Sequence, residues 1–159
     1  MSGDGASLRP ARPGDGAALF EVTRRSVAGL AAGHYSAEQV AGWMGLRSPA
    51  FYEDLVAGGR VVVAEHDGRV VGFVDAEPGE VTRLFLLPEA AGHGLGARLL
   101  AVGTAAARDR RAGPVRVEAT INAVGFYERH GFRVVGRGHF SHGLGGEPID
   151  IVHMELSGP

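Results

Sequence analysis

A chain of 159 residues, with 45% apolar and 21% charged side chains, has the size and composition of one soluble globular domain. A formal net charge of −2 gives no electrostatic case for nucleic acid, and the absence of cysteine removes disulfides, thiol chemistry and cysteine-ligated zinc. No apolar run approaches transmembrane length and the first residues lack the apolar core of a signal peptide, so no membrane partner is expected and the cytoplasm is the expected compartment. A single domain over residues 1–159 follows, with 1–6 and 157–159 expected to be flexible.

Ser7–Pro10 reads as a short extended segment. Pro13-Gly14-Asp15 is a turn, with Asp15 placed to cap a helix whose apolar face holds Leu19, Phe20, Val22 and Val27. Gly33-His34-Tyr35 interrupts that helix. Ser36 with Gln39 forms a capping-box pattern for a second helix carrying Val40, Trp43 and Met44, and Ser48-Pro49 opens a third that runs through Val56. From Arg60 the rhythm changes to strands. Arg60–Glu65 and Arg69–Ala76 flank Asp67-Gly68, a strong hairpin turn, and Pro78-Gly79 turns the chain into a strand from Val81 that Pro88 ends. A helix follows from Gly94 to Arg111, then a strand at Val115–Ala119 that a helical crossover makes parallel to the Val81 strand. A compact helix around Ala123–His130 stops at Gly131, and Phe132–Arg137 with Pro148–Leu156 form a last antiparallel pair. The expected fold is a mixed α/β domain with one central sheet.

Gly92-His93-Gly94-Leu95-Gly96 sits between the Val81 strand and a helix marked by Leu95, Leu99, Leu100 and Val102. Glycine admits positive φ and close approach of a ligand, and the unpaired N–H groups of a helix's first turn attract an anion. The stretch therefore fits a phosphate or pyrophosphate site, set against an ordinary strand-to-helix connection in a chain with 26 glycines. The spacing lacks the third glycine of a dinucleotide-binding turn and the lysine of a P-loop.

Two stretches, in order, resemble the signatures of the GNAT superfamily of acetyl-CoA-dependent N-acetyltransferases. Val81–Pro88 with Gly92–Gly96 is similar to its pyrophosphate motif, and Asn122–Phe132, with Phe126-Tyr127 followed by Gly131-Phe132, is similar to its second signature. Leu8-Arg9-Pro10-Ala11 with Asp15, and Ile151–Leu156, extend the likeness over nearly the whole chain. Two departures stand out. Ala91 occupies the place where the family usually has Gln or Arg, and the family's frequent asparagine falls at Thr120, so Asn122 does not inherit its role.

The resemblance implies a mostly antiparallel sheet of about six to seven strands flanked by helices, in which a parallel strand pair splays apart to hold CoA. It implies acetyl-CoA as cosubstrate, with Phe85, Leu86 and Leu87 offering backbone groups to the pantetheine and thioester. Gly92, His93, Gly94, Leu95, Gly96 and Ala97 would surround the pyrophosphate. Tyr127 matches the family's tyrosine, which donates a proton to the departing thiolate; the competing reading is a packed aromatic beside Phe126 and Phe132. For the base that deprotonates the amine, Glu118 is the candidate, beside Asp75, Glu77 and His153, each of which also reads as a solvated side chain. His34, Tyr35 and Trp43 fall where the family covers its acceptor, and Arg24 and Arg25 read as a solvated edge or as holders of an acceptor carboxylate.

His139 and His142 have metal-pair spacing but no clear third ligand, so no metal is expected. The expected function is transfer of acetyl to a primary amine by direct attack, a small molecule being favoured over a protein. Without cysteine, the commonest nucleophile for an acyl-enzyme is missing. The alternatives are a CoA-binding regulatory module without catalysis, an acyltransferase using a longer acyl-CoA, and a nucleotide-binding domain. The last strands would supply the edge for a homodimer.

Overall fold

The computed structural model describes residues 5–30, 33–144 and 148–158; the flexibility expected of residues 1–4 and 159 falls outside them. Among these residues seven strands form one sheet: β1 (Ser7–Pro10), β2 (Val61–His66), β3 (Arg69–Glu77), β4 (Glu80–Leu86), β5 (Val115–Ala119), β6 (Arg133–His139) and β7 (Asp150–Leu156). Their spatial order is β1-β2-β3-β4-β5-β7-β6, and every neighbouring pair is antiparallel except β4 and β5. Among the described residues five α-helices surround it: α1 (Gly16–Leu30), α2 (Ala37–Gly45), α3 (Pro49–Ala57), α4 (Leu95–Arg108) and α5 (Val124–Arg129). Among the described residues, no helix is long and apolar enough to cross a membrane.

Local chemistry sets most of these boundaries. Asp67 and Gly68 both take positive φ (53° and 73°), as the two-residue turn between β2 and β3 requires. Ser36 accepts from Gln39 N while the Gln39 side chain accepts from Ser36 N, closing the capping box of α2. Ser48 caps α3 through Phe51 N, with Pro49 in its first turn. The start of α1 differs from the sequence expectation. Asp15 turns its carboxylate to Arg9 and to the N–H of Arg12, and the N–H groups of Gly14 and Gly16 are held by Glu53 of α3 instead. The Arg9 guanidinium at 2.8 Å holds the Asp15 carboxyl below its ordinary value, so its charge is already committed.

Side chains alternate between the two faces of β3 and β4 and so find different helices. Phe73 meets Tyr52 of α3, with ring centroids 6.4 Å apart, and Phe85 meets Trp43 of α2 at 6.3 Å. Val74 and Val81 face α4. A Cβ on Gly103 would lie 2.7 Å from Val74 and 3.4 Å from Val81, so glycine there lets α4 lie close on the sheet. The core, with Leu19, Tyr52, Phe73, Leu99, Val115 and Met154 almost fully buried, thus runs through both layers and holds the centre of the sheet in place.

Candidate active site

The site begins where the sheet comes apart. β4 and β5 pair over two positions only, Glu80 with Arg116 and Val81 with Val117, and then diverge. Leu87 donates its N–H to Val71 O at 2.8 Å, just past the end of β4. Bonded and unbonded positions alternate along an antiparallel pair. With Phe85 opposite Phe73 and Leu86 opposite Gly72, the N–H groups of Phe85 and Leu87 turn to β3, and those of Leu84 and Leu86 turn to the gap. One N–H of Phe85–Leu87 is expected to meet the thioester oxygen; of the three, that of Leu86 is the one turned to the gap, while those of Phe85 and Leu87 hold the register.

Beyond Leu87, a short 3-10 turn (Pro88–Ala90) leads into the glycine stretch. Gly92 and Gly94 have φ of +83° and +77°, and a Cβ on either would meet nothing within 4 Å. The first bond of α4 is Arg98 N to Gly94 O, and Gly94 brings no side-chain cap. The N–H groups of Leu95, Gly96 and Ala97 thus lie in the first turn without intrahelical partners, at the positive end of the helix dipole. His93 is exposed and lines a hollow beside the turn with Arg69, Leu95 and Arg98.

In the gap lies a cavity of about 130 Å³, lined by Trp43, Phe85, Glu118, Thr120, Tyr127 and Phe140 among others. α5 carries Tyr127 in, and its ring packs edge-on to Phe126 and Phe132 at 5.2 and 5.4 Å. Burial pushes the Tyr127 phenol well above its ordinary value, so it stays protonated and able to donate. The ring is packed between Phe126 and Phe132, and the residue also lines the cavity.

Glu118 of β5 is half-buried and neither free in solvent nor paired with an arginine. Its two oxygens accept from Ser141 N at 2.8 Å and Ser141 Oγ at 2.6 Å. Asp75 is buried against Arg83 at 2.8 Å and accepts from Thr82 Oγ1 at 3.2 Å, which takes it out of the running as a base. Glu77 ends β3 in solvent, and His153 of β7 lies directly opposite Glu118 of β5. His139 and His142 part company: His139 lies 3.3 Å from Asp150 in solvent, and His142 lies 2.8 Å from Glu80.

Trp43 lines the cavity, stacked at 5.3 Å on Phe140, whereas His34 and Tyr35 do not. His34 is exposed. Tyr35 is a strut: its hydroxyl donates to Asp150 O at 2.7 Å and accepts from Ile121 N at 3.0 Å, tying the start of α2 to β7 and to the turn before α5. Arg25 is fastened to Glu89 at 2.8 Å, and Arg24 pairs with Glu21 on its own helix, so the solvated-edge reading describes Arg24 and neither is free for a carboxylate. Phe140, which the sequence reading did not single out, completes the wall, and Ser141 beside it holds Glu118.

A parallel pair that opens behind a glycine turn is an arrangement found in acyl-CoA-dependent transferases, and the comparisons agree. The model of the acetyltransferase (GNAT) domain matches residues 31–157. An uncharacterized N-acetyltransferase of Escherichia coli (strain K12), YafP, is 30% identical over 128 residues, covering 80% of this chain and 81% of its own. A crystal structure of a GCN5-related N-acetyltransferase from Rhodopseudomonas palustris superposes with a TM-score of 0.86 at 27% identity, covering 95% of this chain and 94% of that one. The PaiA N-acetyltransferase of Thermoplasma acidophilum, solved with coenzyme A, has the same fold at a TM-score of 0.76 and 23% identity, over 99% of both chains. The chain belongs to the GNAT acetyltransferase family, and its class is that of an N-acetyltransferase.

Proposed function

We propose that this protein transfers acetyl from acetyl-CoA to a small primary amine, by direct attack of the amine on the thioester. The observation that carries the reading is the junction of two features in one gap: a glycine turn with free N–H groups, and a small cavity holding a buried phenol and a carboxylate. Two structural relatives were solved with coenzyme A or acetyl-CoA, which supports the cosubstrate.

The residues divide the work as follows. N–H groups of Gly92 to Ala97 hold the pyrophosphate, and backbone donors suffice for this although Ala91 offers no side chain. The gap-facing N–H of Leu86 binds the thioester oxygen and stabilises the charge that develops there on attack. Glu118 accepts the proton that the ammonium must lose, and Tyr127 protonates the departing thiolate. A cavity of about 130 Å³, walled by Trp43, Phe85 and Phe140 with one carboxylate, suits a short alkyl- or arylalkylamine better than a folded protein segment. The rings bind the stem, and their faces favour the cationic end.

The test is release of CoA thiol from acetyl-CoA in the presence of n-butylamine, 2-phenylethylamine, spermidine and a lysine-containing peptide. Turnover with either of the first two, faster than with the peptide, supports the reading. Turnover of the peptide alone moves the acceptor to protein, and turnover of none returns the chain to a CoA-binding module.

A further inference from the structure

Just past β6, Ser141 and His142 bring a histidine to two carboxylates. Ser141 grips Glu118 of β5 through its N–H and hydroxyl. Next to it, His142 Nε2 lies 2.8 Å from Glu80 Oε2 at the start of β4, and both side chains are mostly buried. Arg47, between α2 and α3, donates to His142 O at 3.0 Å and so ties that residue's backbone in place. One oxygen of Glu80, one of Glu118 and a ring nitrogen of His142 all lie within 4.8 Å of one another.

The positions of the two carboxylates differ in one respect. Glu118 lines both the acceptor cavity and a groove of about 420 Å³ beside β5, whereas Glu80 lines the groove and not the cavity. The cluster therefore runs from the place where an amine would sit to open solvent.

We propose that His142 and Glu80 form, behind Glu118, the exit for the proton that the acceptor ammonium loses. This rests on the acetyl-transfer reading above. The Glu118 carboxylate takes a proton from the ammonium, and the freed nitrogen lone pair attacks the thioester carbon. Glu118, now a carboxylic acid, must return to its anion before the next turnover. In neutral His142 the Nε2–H donates to Glu80 and Nδ1 is left as acceptor. The proton passes from Glu118 to the imidazole through water, and the imidazolium gives up a proton by way of Glu80, which lines the groove. Ser141 keeps Glu118 aimed, and Glu80 keeps the imidazole in the tautomer that can accept. His142 and Glu80 are positioning and relay residues; Glu118 is the one that touches substrate.

Charges reach His142 from several elements. Glu80 and Arg83 come from β4, Glu118 from β5, and Arg47 from the α2–α3 connection, while His153 of β7 faces the same groove. Arg83 is already tied to Asp75, so the hydrogen bond to Glu80 is the largest influence and raises the affinity of His142 for its proton. A relay that starts from neutral His142 stalls as pH falls through that raised value.

The experiment is the pH dependence of kcat, at saturating n-butylamine or 2-phenylethylamine and acetyl-CoA, for the wild type, Glu80→Gln and His142→Gln. It is paired with NMR titration of the imidazole in the free protein. Glu80→Gln is expected to move the acidic limb of kcat, and the ring's titration midpoint, down by about one pH unit. His142→Gln is expected to lower kcat about tenfold or more with the KM for acetyl-CoA unchanged. An acidic limb and a ring midpoint that both stay in place in Glu80→Gln overturn the relay while leaving acetyl transfer standing. Loss of wild-type activity to EDTA, with recovery on added zinc, assigns the three side chains to a metal instead and overturns it too. A wild type that acetylates no amine overturns the acetyl-transfer reading, and the relay with it.

Discussion

Leu87 donates its backbone N–H to Val71 at 2.8 Å, and that single bond decides which groups of β4 face the gap. It locks the register so that Leu86, one residue earlier, is left with its N–H free on the β5 side. The difference is testable with proline, which removes the N–H and leaves the rest of the strand. Leu86→Pro is expected to lower kcat at least about a hundredfold, with the fold retained. Leu86→Ala, which keeps the N–H, controls for lost packing and should retain most of the rate. Leu87→Pro breaks the ladder and should unfold the protein, as read by circular dichroism.

Tyr127 supplies an acid that burial keeps protonated. Tyr127→Phe is expected to lower kcat by about tenfold to a thousandfold with the affinity for acetyl-CoA unchanged. Because its proton is held more tightly than in a free phenol, the wild-type rate should show no loss from this group up to about pH 10. Wild-type kcat in Tyr127→Phe would leave the ring with a packing role only.

Asp75 and Arg83 form a buried ion pair at 2.8 Å, with both side chains more than nine-tenths covered. Removing one partner strands the other. Asp75→Ala is expected to cost about 3 kcal/mol in urea unfolding, and Asp75→Asn, which keeps an acceptor for Thr82 and Arg83, distinctly less. Equal losses in both variants would mean that the charge itself is what matters there.

His142 also leaves a mark on stability. Its folded-state proton affinity is raised by Glu80 above that of the unfolded chain, so its contribution is fully present below the unfolded value and is lost as pH rises through the folded one. The melting temperature of the wild type should exceed that of His142→Gln by more at about pH 5.5 than at about pH 9. A gap that is the same at both pH values would show that the pair does not titrate as drawn.

Much of this architecture is written in short-range pattern. Asp67-Gly68, Ser36 with Gln39, Ser48-Pro49 and Gly131 mark their turns and caps because each acts on backbone groups within a few residues. The glycine turn and Tyr127 were legible for the same reason, since each belongs to a contiguous signature. What the sequence hid is long-range. Glu53 caps α1 from a helix 37 residues on, and Ser141 reaches Glu118 across 23 residues. The final strand also inserts between β5 and β6, an order that no local pattern encodes, and Phe140 and Ser141, just past β6, reach the cavity wall and Glu118. His139 and His142 looked like a pair by spacing, but the turn after β6 sends them to different carboxylates.

The measurement that bears most directly on the whole reading is calorimetric titration of the protein with acetyl-CoA, beside acetyl-pantetheine and ATP. If the glycine turn holds the pyrophosphate and the gap holds the pantetheine, acetyl-CoA binds in the micromolar range. Acetyl-pantetheine, which lacks the pyrophosphate, then binds at least about a hundredfold more weakly, and ATP does not bind. Equal affinity for acetyl-CoA and acetyl-pantetheine would remove the anion site from the glycine turn, and no binding of acetyl-CoA would contradict acetyl transfer at this gap altogether.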